Sequence, residues 1–311
     1  MTVFSTIVLS PIRGSDDIFD LMKIHASTDL FKSCVLGVAG IAILVMTTAT
    51  ANAAVGYWNG EGNARVRLLA TSIDTGGQID AGIEIVLDPG WKTYWRNPGD
   101  AGIAPLVDFS ASANIGSSVE LAFPVPHRYD DGYAVTNVYQ DHVVLPVKLS
   151  RIDNGAAATI SLSLDIGVCA EICVPEHYDL SVELAPGETD GEALAILAEA
   201  AAHLPMPPIQ GSFAVDGIAR AGGADKRPVF EINVVAPDAA GAEVYIEGPD
   251  DWYPGPPKLV SSDDDRATFS VEFSRLGSKT PIGGNAFTVT IVSAGKAVED
   301  VVTLDWGGGS D

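Results

Sequence analysis

GVCAEICVP, residues 167–175, separates the two clearest strand patterns of the sequence. Residues 160–166 before it and 177–184 after it alternate between apolar and polar side chains, which is typical of half-buried β-strands. Cys169 and Cys173 therefore lie in the connection between two predicted strands. Positions four apart in an extended chain are about 13 Å from each other. Residues 170–172 must turn tightly if the two cysteines are to form a disulfide.

The rest of the chain predicts an all-β protein with one helix. Short strand patterns separated by turn signals are typical of β-sandwiches. They occur at residues 65–72, 79–87, 143–149, 229–234, 242–246, 267–273 and 287–292. Residues 189–203 have the composition of one amphipathic helix, and Pro205, Pro207 and Pro208 follow it as a linker. We therefore predict one sandwich in residues 54–204, a second in 212–306, and a disordered tail at 307–311.

The amino-terminal 53 residues have the pattern of a secretory signal peptide. Lys32 precedes an apolar run at 34–46, and the small-residue site Ala51-Asn52-Ala53 follows it. The competing interpretation is a membrane anchor, but the run is shorter than the roughly 20 residues that a span needs. Met22 is a better start than Met1, so residues 1–21 are interpreted as an extension upstream of the true start. With cleavage near Ala53, Cys34 is removed and the mature protein enters the periplasm, an oxidising compartment.

Composition excludes several classes of function. The formal net charge is −23, which disfavours nucleic acid and anionic membrane surfaces as partners. The sequence has no phosphate-binding loop, no dinucleotide fingerprint and no zinc-ligand spacing, so we expect no cofactor. No later apolar run is long enough to cross a bilayer, so we expect no membrane insertion after signal cleavage.

The residues alone leave three interpretations of the cysteine pair open. A structural disulfide around a five-residue loop stabilises a protein by only about 2 kcal/mol in the chain-entropy model. A redox dithiol uses the same close spacing for rapid resolution of a mixed disulfide. A copper site could combine Cys169 and Cys173 with His142 or His177, although both histidines are predicted to be surface residues on strands and we expect no metal.

Three blocks of sequence resemble the amino-terminal periplasmic domain of the DsbD/ScsB family of thiol–disulfide interchange proteins. They are GVCAEICVP at 167–175, WKTYWRNPGD at 91–100, and the segment from 130 to 147 that contains DDGY, VY and VVLPV. The likeness is clear from about residue 60 to 185, and the remainder resembles the extra β-domain of the ScsB branch. From the residues alone, block 91–100 could equally be a packing corner of the β-domain.

The resemblance implies an immunoglobulin-like fold and a protein-disulfide reductase or electron-shuttle activity. Cys169 and Cys173 would be the redox pair, with Cys173 entering the mixed disulfide. Asp130, Asp131, Gly132 and Tyr133 would form a cap loop over the pair. The implied partners are a membrane-embedded thiol reductase and periplasmic thioredoxin-like proteins. This sequence has fewer residues between its cysteines than the best-known members and lacks their membrane and thioredoxin-like domains. The alternatives are a non-enzymatic envelope binding module with a structural disulfide and a copper-handling protein.

Overall fold

The computed structural model describes residues 55–72 and 76–304. The predicted signal peptide in residues 1–53, the predicted tail at 307–311 and part of the turn after the first strand lie outside the described residues. No helix in the described part of the chain is long and apolar enough to cross a membrane. Both sandwiches belong to one compact unit.

The first sandwich contains ten strands in two antiparallel sheets. The strands are β1 (Ala64–Ser72), β2 (Gln78–Leu87), β3 (Lys92–Gly99), β4 (Leu106–Asp108), β5 (Glu120–Leu121), β6 (His127–Asp130), β7 (Val135–Gln140), β8 (His142–Ser150), β9 (Ala158–Cys169) and β10 (Cys173–Leu184). One sheet has the order β1-β2-β8-β5 and the other β10-β9-β3-β7-β6, with β4 also paired to β9. Strand β3 therefore lies between the cysteine hairpin and the β6–β7 hairpin.

The alternation that predicts β9 and β10 also fixes their orientation. Ile160, Leu162, Leu164 and Ile166 are at most 2% exposed and belong to the core between the two sheets. A shift of one residue in the pairing would expose this whole set. The twelve residues of β9 pair with the twelve of β10, from Ala158 opposite Leu184 to Cys169 opposite Cys173. The predicted strand pair is confirmed, and the cysteines are its terminal residues.

The predicted helix follows the first sandwich as α1 (Gly191–Ala202). Asp190 caps its amino terminus, because its side chain accepts a hydrogen bond from the amide of Ala193 at 2.9 Å. Leu197 and Ala200 are buried against Val144 of β8. The helix thus covers the outer face of the first sheet.

The second sandwich contains eight strands around a separate aromatic core. Its strands are β11 (Ala214–Ala224), β12 (Arg227–Val235), β13 (Glu243–Glu247), β14 (Tyr253–Pro254), β15 (Lys258–Asp263), β16 (Arg266–Ser274), β17 (Ala286–Ser293) and β18 (Lys296–Thr303). One sheet has the order β11-β12-β16-β14, with β15 also paired to β16, and the other has the order β13-β17-β18. Phe230, Trp252, Phe273 and Phe287 pack with ring centroids 5.6–6.1 Å apart.

The two sandwiches contact each other through the second half of β3. Trp95 is 1% exposed and packs edge-to-face on Tyr245 of β13 at 5.6 Å. Arg96 forms ion pairs with Glu247 at 2.7 Å and Glu299 at 2.5 Å, and Asn97 donates to the carbonyl of Ile246 at 3.1 Å. Residues 95–97 of block 91–100 therefore form a packing corner, which is the interpretation that the residues alone suggested.

The predicted fold class is confirmed for the described residues, which form two immunoglobulin-like β-sandwiches with one short helix beside the linker. In the predicted linker, Met206 exchanges backbone hydrogen bonds with Ala297 and Glu299, both at 2.9 Å. The linker is therefore attached to the second sandwich. Independent folding of residues 54–204 and 212–306 stays a prediction.

Candidate functional site

The site is built at the end of the β9–β10 hairpin, where Cys169 and Cys173 form a disulfide with a Cα–Cα distance of 4.1 Å. Residues 170–172 make the tight turn that the spacing requires, and the amide of Ala170 donates to the carbonyl of Ile172 at 3.1 Å. Pro175 lies on β10, which is the edge strand of its sheet. Proline is tolerated there because an edge strand does not need every N–H for pairing.

The two sulfur-bearing residues differ in burial. Cys169 is 1% exposed and packs in a small cluster with Tyr94, Val138 and Tyr129. Cys173, by contrast, is exposed, and the neighbouring Ile172 is 69% exposed. Because disulfide exchange requires a thiolate to reach one sulfur of the bond, Cys173 is the accessible member of the pair.

Tyr94 of β3 contacts both sulfur atoms. Its hydroxyl donates to Cys169 Sγ at 3.0 Å and lies 3.4 Å from Cys173 Sγ. Burial, with a smaller contribution from the Asp131 carboxylate, raises the pKa of the Tyr94 phenol above its ordinary value. The phenol therefore stays protonated and can act as a hydrogen-bond donor toward sulfur.

Two glycines lie against the ring of Tyr94. A Cβ at Gly102, where φ is +119°, would lie 2.3 Å from Tyr94 Cε1, and one at Gly167 would lie 3.3 Å from Tyr94 Cδ2. At Gly102 a side chain would collide with the ring, whereas a Cβ at Gly167 would collide first with Ile103 Cβ, at 2.8 Å. Two segments far apart in sequence, the β3–β4 connection at 102 and β9 at 167, therefore border the ring.

Lys92 is a buried cation on the same strand. It is 7% exposed and pairs directly with Cys169 in the β3–β9 ladder. Its ammonium donates to the carbonyl of Ala170 at 3.4 Å and lies 4.3 Å from the centre of the Tyr129 ring, which is a cation–π distance. Residues on one face of a strand alternate, so Lys92 and Tyr94 approach the disulfide from the same side.

The predicted cap loop forms the tight turn between β6 and β7. The Asp130 side chain accepts from the amide of Gly132 at 2.8 Å, and the Asp131 side chain accepts from the amides of Tyr133 and Ala134, both at 2.9 Å. The bonds from Ala134 and Tyr133 lower the pKa of Asp131, and the charge of Lys92 adds to the shift. Tyr133 is 99% exposed. The aromatic side chain packed against the Cys169 cluster is Tyr129, at the end of this turn.

The histidines considered for a copper site are paired elsewhere. His142 lies 3.0 Å from Glu84. His177 lies 2.8 Å from Asp165, and this hydrogen bond raises the pKa of His177. Within residues 55–72 and 76–304, no group of three or more His, Cys, Asp and Glu side chains lies close enough together to hold a metal ion.

Sequence reasoning placed Tyr94 and Lys92 in a family block but gave neither a role, and it did not single out Tyr129. In the structure, the residues of block 91–100 make two separate sets of contacts. Lys92, Thr93 and Tyr94 contact the cysteine hairpin, where Thr93 donates to the carbonyl of Gly167 at 2.9 Å, and the next three residues contact the second sandwich. The usable signal was strand alternation, which places 92 and 94 on one face.

Fold and site together define an immunoglobulin-like domain that carries a disulfide at the end of a hairpin. Residues 65–185 match the family model described as thiol:disulfide interchange protein DsbD, N-terminal. The family model thus matches the segment that contains the whole cysteine hairpin, and the resemblance stated from sequence is confirmed. At the level of the family, its chemistry is thiol–disulfide interchange.

Two solved structures illustrate the comparison at the level of fold. The N-terminal periplasmic domain of ScsB from Proteus mirabilis has a TM-score of 0.65 at 23% identity, and the alignment covers 82% of this chain and 100% of that one. At this identity the likeness shows the fold alone. The yeast GGA1 GAE domain aligns with a TM-score of 0.24 at 9% identity, over 41% of this chain and 97% of its own, and supports no argument. No curated protein matches the chain.

Proposed function

We propose that this protein is a periplasmic thiol–disulfide interchange protein that transfers electrons from a membrane-embedded thiol reductase to thioredoxin-like proteins through Cys169 and Cys173. One observation carries the proposal: the disulfide joins a buried sulfur-bearing residue to an exposed one, and a neutral phenol contacts both sulfur atoms. The proposal includes export, with cleavage of the signal peptide near Ala53.

The exchange begins at Cys173. A thiolate of the donor attacks Cys173 Sγ and forms a donor–Cys173 disulfide, while the original S–S bond breaks and its electron pair leaves on Cys169 Sγ. A second donor thiolate then attacks the donor sulfur of the mixed disulfide and releases Cys173 as a thiolate. The donor dithiol is oxidised and the cysteine pair is reduced by two electrons. The same steps in reverse reduce the disulfide of a client.

Tyr94 assists the sulfur that leaves. Its hydroxyl is already 3.0 Å from Cys169 Sγ in the oxidised protein, so little reorganisation is needed when charge develops there. A raised pKa keeps the phenol protonated as a donor. We assign Tyr94 the role of hydrogen-bond donor to the Cys169 thiolate.

The β6–β7 turn is proposed as the cap over the pair. Tyr129 packs on the Cys169 cluster, and Asp131 is coupled electrostatically to Lys92 and Tyr94. These contacts support a shielding role for the turn that contains Asp130, Asp131, Gly132 and Tyr133. A partner that reaches Cys173 would also contact Ile172, the exposed residue beside it in the turn.

The second sandwich, residues 212–306, is proposed as a separate domain that supports β3. The contacts of Trp95 with Tyr245 and of Arg96 with Glu247 and Glu299 hold the half of β3 that directly follows Tyr94. This arrangement supports a positioning role for the second sandwich.

The test is capture by single-cysteine variants. The probe is a thioredoxin that lacks its resolving cysteine and carries thionitrobenzoate on the other. We expect Cys169→Ala, which keeps exposed Cys173, to form a mixed disulfide with the probe and release coloured thionitrobenzoate. Cys173→Ala, which keeps only the buried thiol, should react at least about tenfold more slowly because the probe must reach a covered sulfur. The double variant is the control for background release. The proposed function fails if neither single variant captures the probe, and the order of attack is wrong if Cys173→Ala is the faster of the two.

A further inference from the structure

The buried ammonium of Lys92 has a chemical consequence when the disulfide opens. In the oxidised protein no sulfur carries a charge, and the partners of Lys92 are the carbonyl of Ala170 at 3.4 Å and the face of Tyr129 at 4.3 Å. Neither neutral group balances a full positive charge, and the Asp131 carboxylate acts on Lys92 only through the field, with no ion pair between them in the described residues. Burying an ammonium without a directly paired carboxylate is costly, so a lysine that is 7% exposed beside a disulfide calls for a role in another state of the protein.

That state is the reduced one. Attack on Cys173 leaves the electron pair on Cys169, whose residue is 1% exposed. A buried thiolate is destabilised by loss of solvation, which raises the thiol pKa and slows departure of the leaving group. A nearby cation reverses this effect, and Lys92 is the residue paired with Cys169 across the β3–β9 ladder.

We infer that Lys92 is the electrostatic partner of the Cys169 thiolate, and that it sets the ease with which the disulfide is opened. The inference rests on the proposed function, because the thiolate exists only if the pair is reduced. Lys92 supplies the charge and Tyr94 the hydrogen bond, from adjacent positions on one face of β3. No proton is transferred in the step: the negative charge of the attacking thiolate ends on Cys169, next to the ammonium.

Other titratable groups around Cys169 also affect the stability of its thiolate. Tyr94 is neutral, and Tyr129 faces the ammonium through its ring. Asp131 opposes the thiolate, since its carboxylate acts on both Tyr94 and Lys92. Glu171, exposed in the turn, and Cys173 itself, when ionised, also oppose it. Two substitutions therefore have opposite expected signs: removal of the Lys92 charge raises the Cys169 pKa, and removal of the Asp131 charge lowers it.

The experiment compares Lys92→Met with Lys148→Met. Methionine keeps an unbranched apolar stem of similar length and removes the charge. Lys148 is the matched control because it lies on β8 of the same sandwich with its side chain 62% exposed and paired to Asp80. Each is made in the Cys173→Ala background for titration of the Cys169 thiol by thiolate absorbance, and in the native background for reduction of the disulfide by dithiothreitol at fixed pH.

We expect Lys92→Met to raise the Cys169 pKa by about one unit or more, the usual effect of losing a close opposite charge. Reduction by dithiothreitol should slow by about tenfold, while Lys148→Met behaves as wild type. Asp131→Asn should lower the Cys169 pKa because it removes a negative charge. Lys92→Arg should keep this pKa near the wild-type value because it keeps the positive charge.

Two results would overturn the inference. One is an unchanged thiol pKa and reduction rate in a folded Lys92→Met protein; the other is a pKa raised equally by Lys92→Arg and Lys92→Met, which would show that packing is responsible. If Lys92→Met does not fold, Lys92→Gln decides, because glutamine removes the charge and keeps a polar side chain: a raised thiol pKa supports the electrostatic account, and an unchanged one contradicts it. The probe capture by Cys169→Ala does not involve the Cys169 thiolate, so the proposed function survives failure of the Lys92 test.

Discussion

The β9–β10 hairpin of the first sandwich and the β17–β18 hairpin of the second both have a very short connection, and of these two only the β9–β10 hairpin has a disulfide. Strands β17 and β18 pair over eight residues each and join through Ala294 and Gly295, which both have positive φ, 50° and 73°. This is the geometry of the two-residue turn that best matches strand twist. Strands β9 and β10 pair over twelve residues each and join through three residues between the bonded cysteines.

The comparison shows that a hairpin of this kind does not need a covalent bond to stay closed. The shorter hairpin has none, and the longer one has more ladder positions and its own buried side chains, Leu162, Leu164 and Ile166. We therefore expect the fold to survive loss of the disulfide. A bond that the fold does not require, with one accessible residue, is better explained by exchange chemistry than by stabilisation.

Removing an aromatic side chain from the second sandwich should have the largest effect on stability. Phe287 of β17 is 0% exposed and contacts the rings of Phe230, Trp252 and Phe273, so Phe287→Ala should cost about 3–5 kcal/mol. Urea denaturation followed by circular dichroism measures it. Val301→Ala, 65% exposed on the paired strand β18, is the control and should stay within about 0.5 kcal/mol. A loss of the same small size at both positions would mean that the aromatic cluster does not hold this hairpin.

Removing the disulfide should cost less. The double variant Cys169→Ala/Cys173→Ala loses a five-residue closed loop and should be destabilised by about 2 kcal/mol, with the β9–β10 ladder still protected in hydrogen exchange. A loss as large as that of Phe287→Ala, or loss of protection along the whole ladder, would show that the bond is structural. The comparison between the two hairpins would then fail.

The smallest effects are expected at the cap turn, and they differ between two tyrosines. Tyr129→Ser removes a ring packed on the Cys169 cluster and should speed alkylation of the reduced cysteines by iodoacetamide. Tyr133→Ser alters a side chain that is 99% exposed and should leave the rate at the wild-type value. If Tyr133→Ser speeds alkylation and Tyr129→Ser does not, Tyr133 is the shielding residue and the turn closes further over the site in solution.

The sequence predicted the cysteine hairpin and nine of the eighteen described strands, because strand alternation and turn residues are local signals. It missed the other nine strands, among them β3, which carries Lys92 and Tyr94. The β9–β10 strands, the helix after residue 189 and the two sandwiches all follow from periodicity. The environment of the sulfur atoms cannot be predicted from periodicity. The Tyr94 ring is bordered by Gly102 and Gly167, and the burial of Lys92 depends on its pairing with Cys169. Both are contacts between distant segments, which no local pattern encodes.

The same limit explains the cap turn and block 91–100. The resemblance indicated residues 130–133 as the cap, a role that stays a prediction. The ring that packs on the Cys169 cluster is that of Tyr129 on β6, and this contact depends on the β6–β7 pairing and not on residue type. In block 91–100 the aromatic residues alone could not say that Tyr94 contacts the sulfur atoms while Trp95 contacts the second sandwich. Adjacent residues of a strand point to opposite sides, so the division follows once the strand is placed between its neighbours.

An equilibrium redox titration separates an exchanging disulfide from a structural one. The oxidised protein is incubated in glutathione or dithiothreitol buffers of known potential, and the released thiols are measured by alkylation. Exchange chemistry predicts a reduction potential for Cys169–Cys173 more oxidising than about −300 mV, within reach of cellular dithiol donors. A potential below about −300 mV is typical of a structural disulfide and would contradict the account.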